Sequence, residues 1–215
     1  MQYLDKKDVA DILVEAGCYI NVWSSESGIK LPDGSEVSAY LSCRRLISQP
    51  EPRQKIEERL AQVMAEEFSE ADIAVGLATA GIPWAQAIAM HQHLPMSYVR
   101  SGRKAYGVGD LVEGAPKENT RAVLVDDTLY SGKSLIRAIQ ALKEEKNIET
   151  IGVIVIASLF AGSPDEFGKQ QGIKVVSLTD YREICDASVS HELLTETQAD
   201  EMLKYYNTPQ LVETT

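Results

Sequence analysis

The chain has 215 residues, 44% of them hydrophobic and 25% charged, which suits one soluble domain able to bury a full core rather than a disordered or fibrous chain. Its net charge of -11 opposes broad binding to nucleic acid or to an anionic membrane, since a phosphate-rich surface would repel it. A local basic pocket for a small phosphate ligand stays open.

Cys18, Cys43 and Cys185 are widely spaced and form no CxxC pair, so reduced thiols are expected, without a disulfide framework or zinc knuckle. The first ten residues lack an apolar core of signal-peptide length. No apolar run approaches the roughly 20 residues of a membrane span. A cytoplasmic location is expected.

In chain order, residues 5–16 predict a helix with Val9, Ile12 and Leu13 on one face, ended by Gly17, and 18–23 predict a short strand. Residues 24–38, rich in Ser, Gly, Pro and Asp, read as a loop or hairpin. Residues 52–68 predict an amphipathic helix with Ile56, Leu60, Val63 and Met64 along its apolar stripe. Then the pattern alternates: strand 72–77, helix 81–93, strand 96–99. A polar, glycine-punctuated stretch follows over 101–119, too long for an idle connection. Strand 122–125, helix 132–145, strand 151–157 and strand 174–178 come next. The connection between the last two is read only as a short Gly- and Pro-bounded segment. A final helix over 195–206 opens on a Thr195-x-x-Gln198 capping pattern. Such alternation implies an α/β fold with a mainly parallel central sheet and helices on both faces. Residues 1–45 do not fit the rhythm and are expected to form a small hood over the core at 46–215.

The chemistry concentrates at 121–139. Four apolar residues deliver Asp126 and Asp127 to the mouth of a strand, a turn follows over 128–132, and a helix starts near Ser131. Free N–H groups and the positive end of the helix dipole favour an anion there. Gly132 lets the backbone come close, while Ser131, Lys133 and Ser134 add hydroxyl and cationic donors. Two acids beside phosphate alone would repel it; they fit a ligand that also presents hydroxyls, or a bridging Mg²⁺. A sugar phosphate satisfies both halves. A Walker A loop is excluded, because Asp127 stands where that motif needs its first glycine. No GxGxxG follows any strand. His91 and His93 read as surface residues, and Trp23, Trp84 and Cys185 as packing residues.

The run VLVDDTLYSGKS resembles the signature by which type I phosphoribosyltransferases bind phosphoribosyl pyrophosphate (PRPP). Residues 75–101 resemble the pyrophosphate loop, helix and next strand of the orotate branch. SGIK at 27–30 is similar to that branch's base-covering segment, and 98–114 to its mobile catalytic loop. The resemblance spans roughly residues 12–183. It implies the type I phosphoribosyltransferase fold and transfer of ribose 5-phosphate from PRPP to a base, with Mg²⁺ as cofactor. Asp126 and Asp127 would hold the ribose hydroxyls. Thr128, Leu129, Tyr130, Ser131, Gly132, Lys133 and Ser134 would cradle the 5-phosphate, and Thr79, Ala80 and Gly81 would receive pyrophosphate. Arg100 and Lys104 would meet the leaving group's charge from a lid that, in this family, typically reaches a neighbouring subunit, implying a homodimer. Glu26, Ser27 and Phe160 would lie near the base.

The base half departs from the orotate pattern. Ser101 and Gly102 stand where lysines are usual, Tyr106 where a histidine is, and Glu26 just before Ser27-Gly28 would repel an orotate carboxylate if it faced one. Residues 31–38 resemble an inserted hairpin. Orotate leads as acceptor; another base, or a PRPP- or nucleotide-sensing regulator without catalysis, remain alternatives.

Overall fold

The computed structural model describes residues 3–21, 29–30, 36–37, 39–102, 110–160 and 162–207. Helix α1 (Lys6–Glu15) opens on a closed capping box, in which Asp5 accepts from the Asp8 N–H and Asp8 accepts from the Asp5 N–H. Strand β1 (Tyr19–Asn21) is followed by β2 (Ile29–Lys30) and β3 (Glu36–Val37), an antiparallel pair where the hairpin was expected. Strand β4 (Ala39–Leu41) returns to pair antiparallel with β1. A 3-10 turn, Cys43–Ser48, leads into helix α2 (Pro50–Glu67), whose Ile56, Leu60, Val63 and Met64 are buried as their spacing predicts.

The core then alternates through β5 (Ile73–Leu77), α3 (Gly81–Gln92), β6 (Met96–Val99), β7 (Val112–Glu113), β8 (Arg121–Leu129), α4 (Lys133–Lys146), β9 (Glu149–Ser158), α5 (Pro164–Gln171), β10 (Lys174–Asp180), α6 (Tyr181–Ser190) and α7 (Glu196–Asn207). Six strands form one sheet in the order β10-β9-β8-β5-β6-β7, parallel except for β7 at the edge. The chain leaves β5 toward β6 on one side and returns through β8 to build outward on the other. The point where the strand order reverses therefore lies between β5 and β8, and open α/β sheets bind ligands beyond the carboxyl ends of such strands.

The sheet separates two apolar layers. Val123 and Val125 of β8 face a cluster that includes Ile56, Leu60 and the fully buried Trp84, whereas Ala122 and Leu124 face Leu135, Ala138 and Leu142 of α4 and Phe167 of α5. This two-residue alternation carries on into the acids that follow. Helix α1 packs on α6 and β10, so it belongs to the core layers although it lies within the segment expected to form the hood. Among the described residues no helix is long and apolar enough to cross a membrane.

Four sequence expectations are corrected. Strand β8 runs to Leu129, not to Val125, so Thr128 and Leu129 lie in the strand instead of a turn. Two adjacent aspartates are weak strand formers, and pairing of Asp126, Thr128 and Leu129 with Val155, Ala157 and Ser158 of β9 overrides that preference. The 101–119 stretch contains β7, too short to show periodicity. The connection before β10 holds α5, and α6 follows β10. Both helices announce themselves by side-chain caps, a Ser163/Glu166 box and Asp180 accepting from the N–H groups of Arg182 and Glu183.

Candidate active site

Asp127 faces the α2 side of the sheet and is 8% exposed; Asp126, next to it, faces α4 and is partly buried. The Asp127 N–H donates to Asp126 Oδ1 at 2.9 Å, and the Thr128 hydroxyl donates to Asp127 Oδ1 at 3.3 Å. Burial and then the Asp127 charge push the Asp126 carboxyl up to about 8. Burial raises Asp127 as well, opposed by the Arg44 guanidinium and by hydrogen bonds from Thr128. Two adjacent acids, both raised by burial, suit partners that stabilise the carboxylates, such as sugar hydroxyls that donate to them or a cation.

Helix α4 begins just past them. Its N-cap is Gly132, at φ 73°, a conformation L side chains avoid, and no side chain caps the first turn. A Cβ here would also overlap the Phe167 ring of α5. The β5–α3 turn repeats the arrangement: α3 starts at Gly81 with neither a capping side chain nor an acid in its first turn. The Ala78–Thr79 peptide is cis. Helices α1, α5, α6 and α7 carry side-chain caps, whereas α2 lacks one, with a proline and Glu51 in its first turn. The two helices that point at the strand-order reversal leave their N–H groups to a ligand, which suits two anionic groups.

These parts enclose one cavity of about 270 Å³, walled by Thr79 and Ala80, by Asp126 and Asp127, by the loop from Thr128 through Gly132 to Ser134, and by Arg44. Ala78, Asp126 and Ser134 are shared with a smaller annex of about 90 Å³ that Arg100, Ser101 and Arg137 also line. Arg100 is tied down: its N–H donates to the Leu111 carbonyl at 2.9 Å, and its guanidinium pairs with Glu113 at 3.4 Å.

Most of the sequence-predicted site residues therefore meet at one place. Lys133 is exposed and lies off the cavity wall, and Gly81 lies beneath it. Phe160 packs edge-on against Phe167, centroids 5.7 Å apart, and is not part of the wall. Lys104, Glu26 and Ser27 lie outside the described residues. Arg44 and Arg137 escaped sequence reading. Arg44 stands beside Arg45, which instead donates to the Gly17 carbonyl at 2.8 Å, and nothing in an Arg-Arg pair says which one faces a ligand. All three cysteines are buried, with thiols pushed up to about 11 for Cys18 and about 12 for Cys185 by burial, as expected of packing residues.

An anion cradle at two uncapped helix starts, with an acid pair between them at a strand-order reversal, defines a sugar-phosphate-binding α/β domain. The chain belongs to the phosphoribosyl transferase domain family, whose model matches residues 45–187. It is 38% identical over 166 residues to the orotate phosphoribosyltransferase of Staphylococcus epidermidis, covering 77% of each chain. The crystal structure of orotate phosphoribosyltransferase from Aeropyrum pernix superposes with a TM-score of 0.67 at 25% identity, over 83% of this chain and 97% of that one. A UMP synthase from Leishmania donovani shares the fold, with a TM-score of 0.78 at 20% identity over 94% of this chain and 42% of that one.

Proposed function

We propose that the chain transfers ribose 5-phosphate from PRPP to orotate, forming orotidine 5′-phosphate and releasing pyrophosphate. The observation that carries this reading is the convergence of two uncapped helix N-termini and one buried acid pair on a single cavity.

In this reading the 5-phosphate takes the first-turn N–H groups of α4 and the hydroxyls of Ser131 and Ser134, while the Thr128 hydroxyl stays on Asp127. The ribose hydroxyls donate to Asp126 and Asp127, which favours the charged carboxylates and drives off any proton the empty pair holds. Thr79, Ala80 and Gly81 receive the pyrophosphate at the start of α3. A ring nitrogen of the acceptor displaces pyrophosphate at ribose C1 through an oxocarbenium-like transition state. Negative charge gathers on the leaving group, and Arg100, which lines the annex, is assigned to meet it. Lys104 is assigned the same task, and Glu26 and Ser27 the base side.

Magnesium fits this donor set. The acid pair offers anionic oxygens, while among the described residues no group of three or more His, Cys, Asp or Glu could hold a metal unaided. The ion would therefore rest mainly on PRPP oxygens, with Asp126 and Asp127 beside it, and when bound it neutralises charge on the pyrophosphate. A cytoplasmic homodimer, with the 101–119 loop of one subunit serving its neighbour, completes the reading.

The test is pyrophosphate release by the purified chain with PRPP and Mg²⁺, run in parallel against orotate, uracil, adenine, guanine and hypoxanthine. Release with orotate alone is expected. Release with a different base would move the substrate. PRPP binding without release from any base would replace the enzyme with a sensor.

A further inference from the structure

The annex beside the main cavity contains a cation with no assigned task. Arg137 lies one turn beyond Ser134 on α4, at the i+3 spacing that puts both on one face, and both line the annex. Arg100 reaches the same space from the end of β6, and Ala78, which also lines it, is the residue before the Thr79–Gly81 turn. The annex thus opens where that turn would hold an anion. At about 90 Å³ it is the smaller of the two spaces, a third of the main cavity's 270 Å³.

The charges nearby have other partners. Arg100 is paired with Glu113, and the cation acting on Asp126 and Asp127 is Arg44. Arg137 is exposed and has no ion pair or hydrogen bond among the described residues, so its planar fork of donors is available to a phosphate.

The geometry points to Arg137 as a pyrophosphate-binding catalytic residue of the same subunit: it meets the leaving pyrophosphate in the annex, opposite Arg100. This rests on the phosphoribosyl transfer proposed above. Arg137 sits on the helix whose start cradles the 5-phosphate, so one rigid element would grip both ends of PRPP. Charge developing on the departing oxygen as the C1–O bond breaks is then met by a side chain already in place.

The test compares wild type, Arg137→Gln and Arg137→Lys by calorimetric titration with Mg²⁺-pyrophosphate and, separately, with ribose 5-phosphate, alongside steady-state kinetics in PRPP. Arg137→Gln is expected to weaken pyrophosphate binding tenfold or more and to lower kcat/KM for PRPP at least as far. Ribose 5-phosphate affinity should stay within twofold, and Arg137→Lys should recover part of the loss. Pyrophosphate affinity unchanged in Arg137→Gln overturns the assignment. So does an equal loss for both ligands, which would mark a structural role in α4. A wild-type chain that binds ribose 5-phosphate and pyrophosphate but not PRPP would instead overturn the transfer reading on which the assignment stands.

Discussion

Gly81 lies so close to β8 that a Cβ on it would overlap the carbonyl oxygen of Val125 and stand 3.1 Å from Asp126 Cα. The start of α3 and the strand that delivers the acids are therefore in backbone contact across the point where the strand order reverses. Gly81→Ala must push α3 away from β8. The expected cost is about 1–3 kcal/mol in urea unfolding, as for other overpacked sites, with PRPP affinity lowered at least tenfold because the α3 N–H groups shift. Unchanged stability and affinity would contradict the contact.

Gly132 is constrained twice, by its φ of 73° and by the Phe167 ring beneath it. Gly132→Ala should raise KM for PRPP strongly and destabilise the chain by about 1–2 kcal/mol from the left-handed backbone alone. Adding Phe167→Leu relieves the overlap but not the backbone cost, so the double variant should recover only part of the PRPP affinity. Full recovery would mean that the ring alone excludes a side chain there.

The acid pair gives the empty protein an unusual pH dependence. Asp126, pushed up to about 8 by burial and by Asp127, binds its proton more tightly folded than unfolded. Between about pH 4 and 8 the folded state then holds more protons, so this pair makes stability fall as pH rises, the reverse of a salt-bridged aspartate. Asp126→Asn should melt higher than wild type at pH 8, by on the order of 1–3 kcal/mol, and lose the advantage toward pH 4. It should also lose most PRPP affinity. Thermal melts with and without PRPP across that range read both effects.

Arg44 holds both acids down from the position burial alone would set. Without it they would ionise at higher pH, and the ionised pair is the form that the proposed binding of ribose hydroxyls needs. The acid limb of PRPP binding in Arg44→Gln should therefore move to higher pH. A loss of affinity uniform across pH would show instead that Arg44 touches the ligand without tuning the acids.

How much of this was legible in the sequence follows from which forces are local. Helices α2 and α3 and strands β5 and β6 showed in apolar spacing, because each buries one stripe or one continuous run. The acid pair and the turn after it showed as a cluster because Asp126, Asp127 and Gly132 combine residue types that neither packing nor capping asks for together. The length of β8 was hidden, since Asp126 and Asp127 interrupt its apolar run and only pairing with β9 carries the strand past them. Helix α5 was missed although Ser163 carries a cap signal, because it is short and buries only Phe167 and Gly168; α6, as long as α1 and capped by Asp180, was readable and went unread. Arg44 and Arg137 were invisible for a different reason. Their roles depend on which elements fold next to theirs, and an arginine on a turn or helix face carries no local mark of that.

The most direct test of the central claim is orotate consumption by the purified chain, followed by the loss of its ultraviolet absorbance with PRPP and Mg²⁺, beside Asp126→Asn/Asp127→Asn. The expected result is PRPP-dependent conversion of orotate to orotidine 5′-phosphate with matching pyrophosphate, abolished in the double variant while its fold persists. Orotate left intact by a wild-type chain that binds PRPP, or equal turnover by the double variant, would contradict it.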